Sequence, residues 1–190
     1  RVMQRDTIAD IIANYSLMDY GETKTGKKVA HIMKNAKRLI FPRYHQLDVV
    51  TRLIDDVETF GVGKRYLIMH SAGSGKSNSL TWLAYKIIKA CPRSMDARRA
   101  KALDMQIFDS AIIVTDRRLL DRQITDNIRA FGQSQNIIAH ADTSADLKTS
   151  IEQGKRIIIT TIQKFPFICD SIANVSDRNF AIIIDEAHSS

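Results

Sequence analysis

Apolar residues recur along this chain in two rhythms. Near the start, Ile8, Ile11, Ile12 and Tyr15 stand at helical spacing, and the polar stretch Gly21-Glu-Thr-Lys-Thr-Gly-Lys-Lys28 after them reads as a turn. From Gln46 onward, helical and continuous apolar patterns alternate. Leu47, Val50, Ile54 and Val57 line one face of a helix, Arg65–Met69 is a run of strand length, and Leu80, Leu83, Ala84, Ile87 and Ile88 mark a helix near 77–90. There follow a strand at 111–115, a helix through Leu119, Leu120, Ile124 and Ile128, a short helix around Leu147 and Ile151, and strands at 156–160 and 180–184. Strands that are apolar throughout are buried on both faces, and strands separated by helices pair in parallel. The pattern therefore predicts an α/β fold, a parallel sheet with helices on both faces. Residues 1–40 read as a partly helical connector and 41–190 as one domain, with Pro92–Ser110 a longish stretch before the second strand.

Composition narrows the picture without changing it. The chain of 190 residues, 44% hydrophobic and 26% charged, is large enough for one substantial core. Its 28 basic and 21 acidic residues leave a net charge of +7, which suits a polyanionic partner. Cys91 and Cys169 form no Cys-x-x-Cys pair, so neither a disulfide framework nor a zinc site is expected and a reducing cytoplasm fits. No apolar run has the length of a membrane span, so no membrane partner is expected. The opening Arg1-Val-Met-Gln-Arg5 is neither a signal peptide nor an initiator sequence, and the expectation is of a longer parent chain.

Candidate chemistry is concentrated at two places. The segment Arg65-Tyr-Leu-Ile-Met-His-Ser-Ala-Gly-Ser-Gly-Lys-Ser77 is an apolar run entering a glycine-rich loop and then a helix. That order points backbone N–H groups at an anion, so Ser71, Ala72, Gly73, Ser74, Gly75, Lys76 and Ser77 are expected to cradle the phosphates of ATP or GTP. Lys76 is assigned to the β- and γ-phosphates and Ser77 to Mg2+. The usual pattern has a glycine where His70 stands. The second place is Ala181-Ile-Ile-Ile-Asp-Glu-Ala-His188, an apolar strand ending in two carboxylates. Asp185 is expected to hold the magnesium shell, Glu186 to orient the attacking water, and His188 to couple the nucleotide site to its neighbours.

Asp-Glu-Ala-His is the signature tetrapeptide of superfamily 2 helicases and translocases, and the chain resembles that superfamily from about Phe41 to its end. Further segments resemble one branch, the motor (restriction) subunit of type I restriction enzymes. Arg43-Tyr-His-Gln46 is similar to that branch's adenine-recognising segment, which implies that Arg43 and Gln46 bind the nucleotide, Gln46 by pairing with the adenine edge. Ile112-Ile-Val-Thr-Asp-Arg-Arg-Leu-Leu-Asp-Arg-Gln123 resembles the segment after the branch's second strand, where RNA helicases instead carry a Pro-Thr-Arg-Glu-Leu type sequence. Ile157-Ile-Ile-Thr-Thr-Ile-Gln-Lys-Phe165 resembles its Thr-Thr segment, implying that Arg117, Thr160, Thr161 and Gln163 contact DNA.

The resemblance implies a first RecA-like domain of an ATP-driven double-stranded DNA translocase. It also implies methyltransferase and specificity subunits as partners and a bacterial or archaeal cytoplasm. A nuclease domain and a second motor domain carrying an arginine finger are expected in such a parent. Without that arginine the chain alone is expected to bind nucleotide weakly and hydrolyse it poorly. Two alternatives stand beside this: an RNA helicase of the same superfamily, and a phosphate-loop NTPase that binds no nucleic acid.

Overall fold

The computed structural model describes residues 4–19, 38–94, 105–115, 137–168, 175 and 177–185. The polar stretch at 21–28 and the helix expected through Leu119–Ile128 lie outside the described residues. The elements are α1 (Arg5–Asn14), β1 (Leu17–Asp19), β2 (Arg38–Ile40), α2 (Tyr44–Phe60), α3 (Lys76–Ile87), β3 (Ser110–Thr115), β4 (Ile138–His140), α4 (Ser144–Glu152), β5 (Ile157–Thr161), a 3-10 helix (Ile162–Phe167) and β6 (Phe180–Ile184).

The main sheet has the order β4-β5-β3-β6, and every neighbouring pair is parallel. Its inner strands explain the unbroken apolar runs, because β3 and β5 are buried on both faces. On one face Ala111, Ile113, Ile157, Ile159, Ala181 and Ile183 meet α2, α3 and α1. On the other, Ile112, Val114 and Ile158 meet Leu147 and Ile151 of α4 together with Ile168. This two-sided cover is the α/β, RecA-like architecture that the alternation of patterns predicts.

Local chemistry sets the helix boundaries. α2 stops at Gly61, whose φ of 75° lies in the left-handed region and whose N–H donates to the Val57 carbonyl. Thr143 caps α4: its hydroxyl accepts from the Asp146 N–H, and the Asp146 carboxylate accepts from the Thr143 N–H.

Three features depart from the sequence reading. The run at 65–69 is not a strand. Its residues pair with no strand among the described residues, and Leu67 and Met69 are 84% and 90% exposed. Apolar character suits a strand, but only a neighbouring ladder fixes one. The strip at 1–40 also does more than connect. Ile11 and Tyr15 are buried in the same cluster as α2 and α3, and the indole N–H of Trp82 donates to the Tyr15 carbonyl at 3.0 Å. Finally, a short antiparallel pair, β1 with β2, precedes α2.

Candidate functional site

The phosphate-loop candidate begins where Gly73 and Gly75 turn the chain into α3 with φ of 71° and 85°. A side chain at Gly73 would meet only open space, whereas a Cβ at Gly75 would stand 2.5 Å from Gln46 Nε2. α3 has no side-chain cap, and its first backbone donors to a carbonyl are Asn78 and Ser79, both bonded to Gly75. The amides of Lys76 and Ser77 therefore donate to no backbone carbonyl among the described residues, which is the open N-terminus an anion occupies. Lys76 is half-buried and has no carboxylate partner among the described residues. The Ser74 hydroxyl is enclosed and has no hydrogen-bond partner among the described residues. Glycines at positive φ, open amides, an uncompensated ammonium and an orphaned hydroxyl together fit a polyphosphate.

The loop is braced from α2. Gln46, only 3% exposed, donates from Nε2 to the carbonyls of Ser74 at 3.2 Å and Gly75 at 2.9 Å, while its Oε1 accepts from the Arg43 N–H at 2.8 Å. The carboxamide expected to face adenine is committed here to the loop, so Gln46 ties the adenine segment to the phosphate segment. His45 Nε2 also lies 3.2 Å from the Ser74 carbonyl. A carbonyl only accepts, so Nε2 carries the proton of that bond. Sequence reasoning passed over His45, although it sits beside Gln46 in the segment that reads as nucleotide-binding.

His70, in place of the usual glycine, faces His45 with ring centroids 5.5 Å apart. Burial, then the neighbouring His45 and Lys76, hold its imidazole below the ordinary histidine range. Ser71 and Ala72 are exposed at the loop's outer rim, as is Arg43 at the start of α2, and Ser77 stands in the first turn of α3.

Asp185 follows β6, and its N–H donates to the Val114 carbonyl at 2.9 Å, extending the ladder by one residue. Its side chain is buried, at the C-terminal edge where open α/β sheets bind ligands. α3 packs against both β3 and β6, so the helix that carries the loop rests on the strand that ends in Asp185. Glu186, His188 and Arg117 lie outside the described residues. Among the described residues no cluster of three or more His, Cys, Asp or Glu side chains gathers, and no helix is long and apolar enough to cross a membrane.

The Thr-Thr segment differs from its expected presentation. Thr160 is fully buried with its hydroxyl enclosed, Thr161 is 5% exposed, and only Gln163, on the 3-10 helix, faces solvent. The cause is register, because Thr160 and Thr161 sit opposite Val114 and Thr115 inside the sheet. Lys164, beside Gln163, donates to the Ala141 carbonyl.

No curated protein matches the chain. The profile of the family described as SWI2/SNF2 ATPase matches residues 45–190, which span α2, the phosphate loop, the whole parallel sheet and the acidic box. With an open phosphate cradle on α3 and a carboxylate at the end of β6, the chain belongs to the SWI2/SNF2 ATPase family and is an ATP-binding motor domain of the helicase superfamily.

Proposed function

We propose that this motor domain is the ATPase part of the restriction subunit of a type I restriction–modification enzyme, driving translocation of double-stranded DNA before endonucleolytic cleavage. The observation that carries the motor is the open loop, with Lys76 at the N-terminus of α3 and no carboxylate paired with it among the described residues. What favours this branch is the wording of 112–123, where Asp116-Arg117 precedes Leu119, Asp121 and Gln123. The net charge of +7 suits a DNA partner. Methyltransferase and specificity subunits and a bacterial or archaeal cytoplasm complete the reading.

In this reading Gly73, Ser74, Gly75 and the amides of Lys76 and Ser77 hold the phosphates, and Lys76 neutralises the β- and γ-oxygens. Ser77 and Asp185 would hold Mg2+, which would supply further charge neutralisation. Glu186 orients water, and phosphoryl transfer then needs little beyond placement and electrostatics. Gln163 and Arg117 are the DNA contacts the reading retains.

A second reading, a phosphate-loop NTPase that binds no nucleic acid, is favoured by the enclosure of the Thr160 and Thr161 side chains. ATP hydrolysis by the full chain with its partner subunits decides between them, measured without nucleic acid and with RNA, single-stranded DNA or double-stranded DNA at one salt concentration, because phosphate binding depends steeply on salt. The translocase reading expects stimulation by double-stranded DNA alone. Stimulation by RNA moves the chain to the RNA helicases, and indifference to all three leaves the second reading standing.

A further inference from the structure

We propose that His45 and His70 form a phosphate-responsive imidazole pair, which takes up a proton when a nucleoside triphosphate settles on the loop and so couples nucleotide affinity to pH. The inference rests on the nucleotide-site reading and deepens it. The pair is built by two elements meeting. His45 comes from the first turn of α2 and bonds the Ser74 carbonyl, and His70 comes from the segment entering the loop, with its ring tilted 59° to that of His45. The groups acting on His70 are His45 from α2 and Lys76 from α3, and among the described residues no carboxylate acts on it.

In the free protein the two neighbours that can carry positive charge oppose protonation of His70, alongside the desolvation of its ring. A bound triphosphate reverses the local charge. It neutralises Lys76, adds negative oxygens, and thereby raises the proton affinity of the His70 imidazole. His45 ties this response to the loop, since its Nε2 proton is engaged with the Ser74 carbonyl. The bound state then carries more protons than the free state, so affinity strengthens as pH falls through the histidine range.

Isothermal titration calorimetry of ATP with excess Mg2+ into the full chain, in PIPES and in Tris at about pH 7, reads the proton uptake directly from the difference in observed heat. The expected result is net uptake of a fraction of a proton, with Kd rising roughly threefold to tenfold from about pH 6 to about pH 8. The His70→Asn variant should show reduced uptake and a flatter pH profile of Kd. Binding with no uptake in the wild type, or full uptake retained in both His70→Asn and His45→Asn, overturns the pair while leaving the nucleotide site intact. Absence of ATP binding at every pH would overturn the nucleotide-site reading itself.

Discussion

Gln46 shows how far residue types at fixed spacing can be read. That Arg43-Tyr-His-Gln46 belongs to the nucleotide side of the domain is legible from the segment itself. That its carboxamide grips the Ser74 and Gly75 carbonyls is not, because those partners lie 28 and 29 positions away and the geometry exists only after α2 and α3 pack. Gly75 carries the consequence. Its φ of 85° disfavours any side chain, and a Cβ there would collide with Gln46 Nε2 at 2.5 Å. Gly75→Ala should therefore lower stability by about 1–3 kcal/mol, combining left-handed strain with the loss of buried hydrogen bonds. It should also weaken nucleotide binding at least tenfold, read by urea denaturation and calorimetry. Lys76→Ala and Glu186→Gln separate two roles at the same site. The first should lose both binding and hydrolysis, the latter by on the order of a hundredfold or more, because a positioned charge at the transferring phosphate is removed. The second should keep binding and lose turnover, because the amide preserves shape but not the charge that orients water. Loss of binding in Glu186→Gln would make that residue structural.

At the scale of elements, the periodicities locate α2, α3, α4, β3, β5 and β6 to within a few residues, since burial on one or both faces leaves a direct imprint on the sequence. They fail where apolar character and burial part company. Ile182 and Ile184 belong to an unbroken apolar run yet are 57% and 47% exposed: among the described residues α4 covers Ile112, Val114 and Ile158 but neither of these two. Leu67 and Met69 are the other instance. Leu67→Lys should accordingly change unfolding free energy by no more than about 0.5 kcal/mol, whereas Ile159→Ala, in the buried centre of β5, should cost about 2–5 kcal/mol. Equal urea midpoints for the two variants would contradict the placement of both segments. The capping box of α4 adds a pH dependence. Hydrogen bonding with Thr143 holds the Asp146 carboxyl below its ordinary value. The native state thus binds its proton less readily than the unfolded chain, so its contribution is present above the usual carboxylate range and disappears as pH falls through the lowered native value. Asp146→Asn should remove that part of the acid-side slope in a series of urea midpoints and leave the alkaline side unchanged.

For the molecule as a whole, the boundary of the folded unit is the least legible feature. Ile8, Ile11, Ile12 and Tyr15 announce a helix, but nothing in their spacing says what the helix packs against, and a polar stretch after it reads as the sign of a connector. The packing decides otherwise. Tyr15 is wholly enclosed, its ring lies 5.6 Å from that of Trp82, and Lys86 reaches across from α3 to Asp10 at 2.7 Å while standing 4.8 Å over the Tyr15 ring. α1 is thereby part of the same core that holds α3, the helix whose first turn carries Lys76 and Ser77. Because Trp82 is the chain's single tryptophan and is 1% exposed, its emission reports that docking without interference. Tyr15→Ala should lower the unfolding free energy by about 3–5 kcal/mol and shift the native emission to the red as water reaches the indole. Lys86→Ala should cost less, since a partly exposed ion pair contributes about 1 kcal/mol, and should leave the emission unchanged. If Tyr15→Ala instead kept both wild-type stability and wild-type emission, α1 would be a tether beside the motor rather than part of the support on which the nucleotide helix stands.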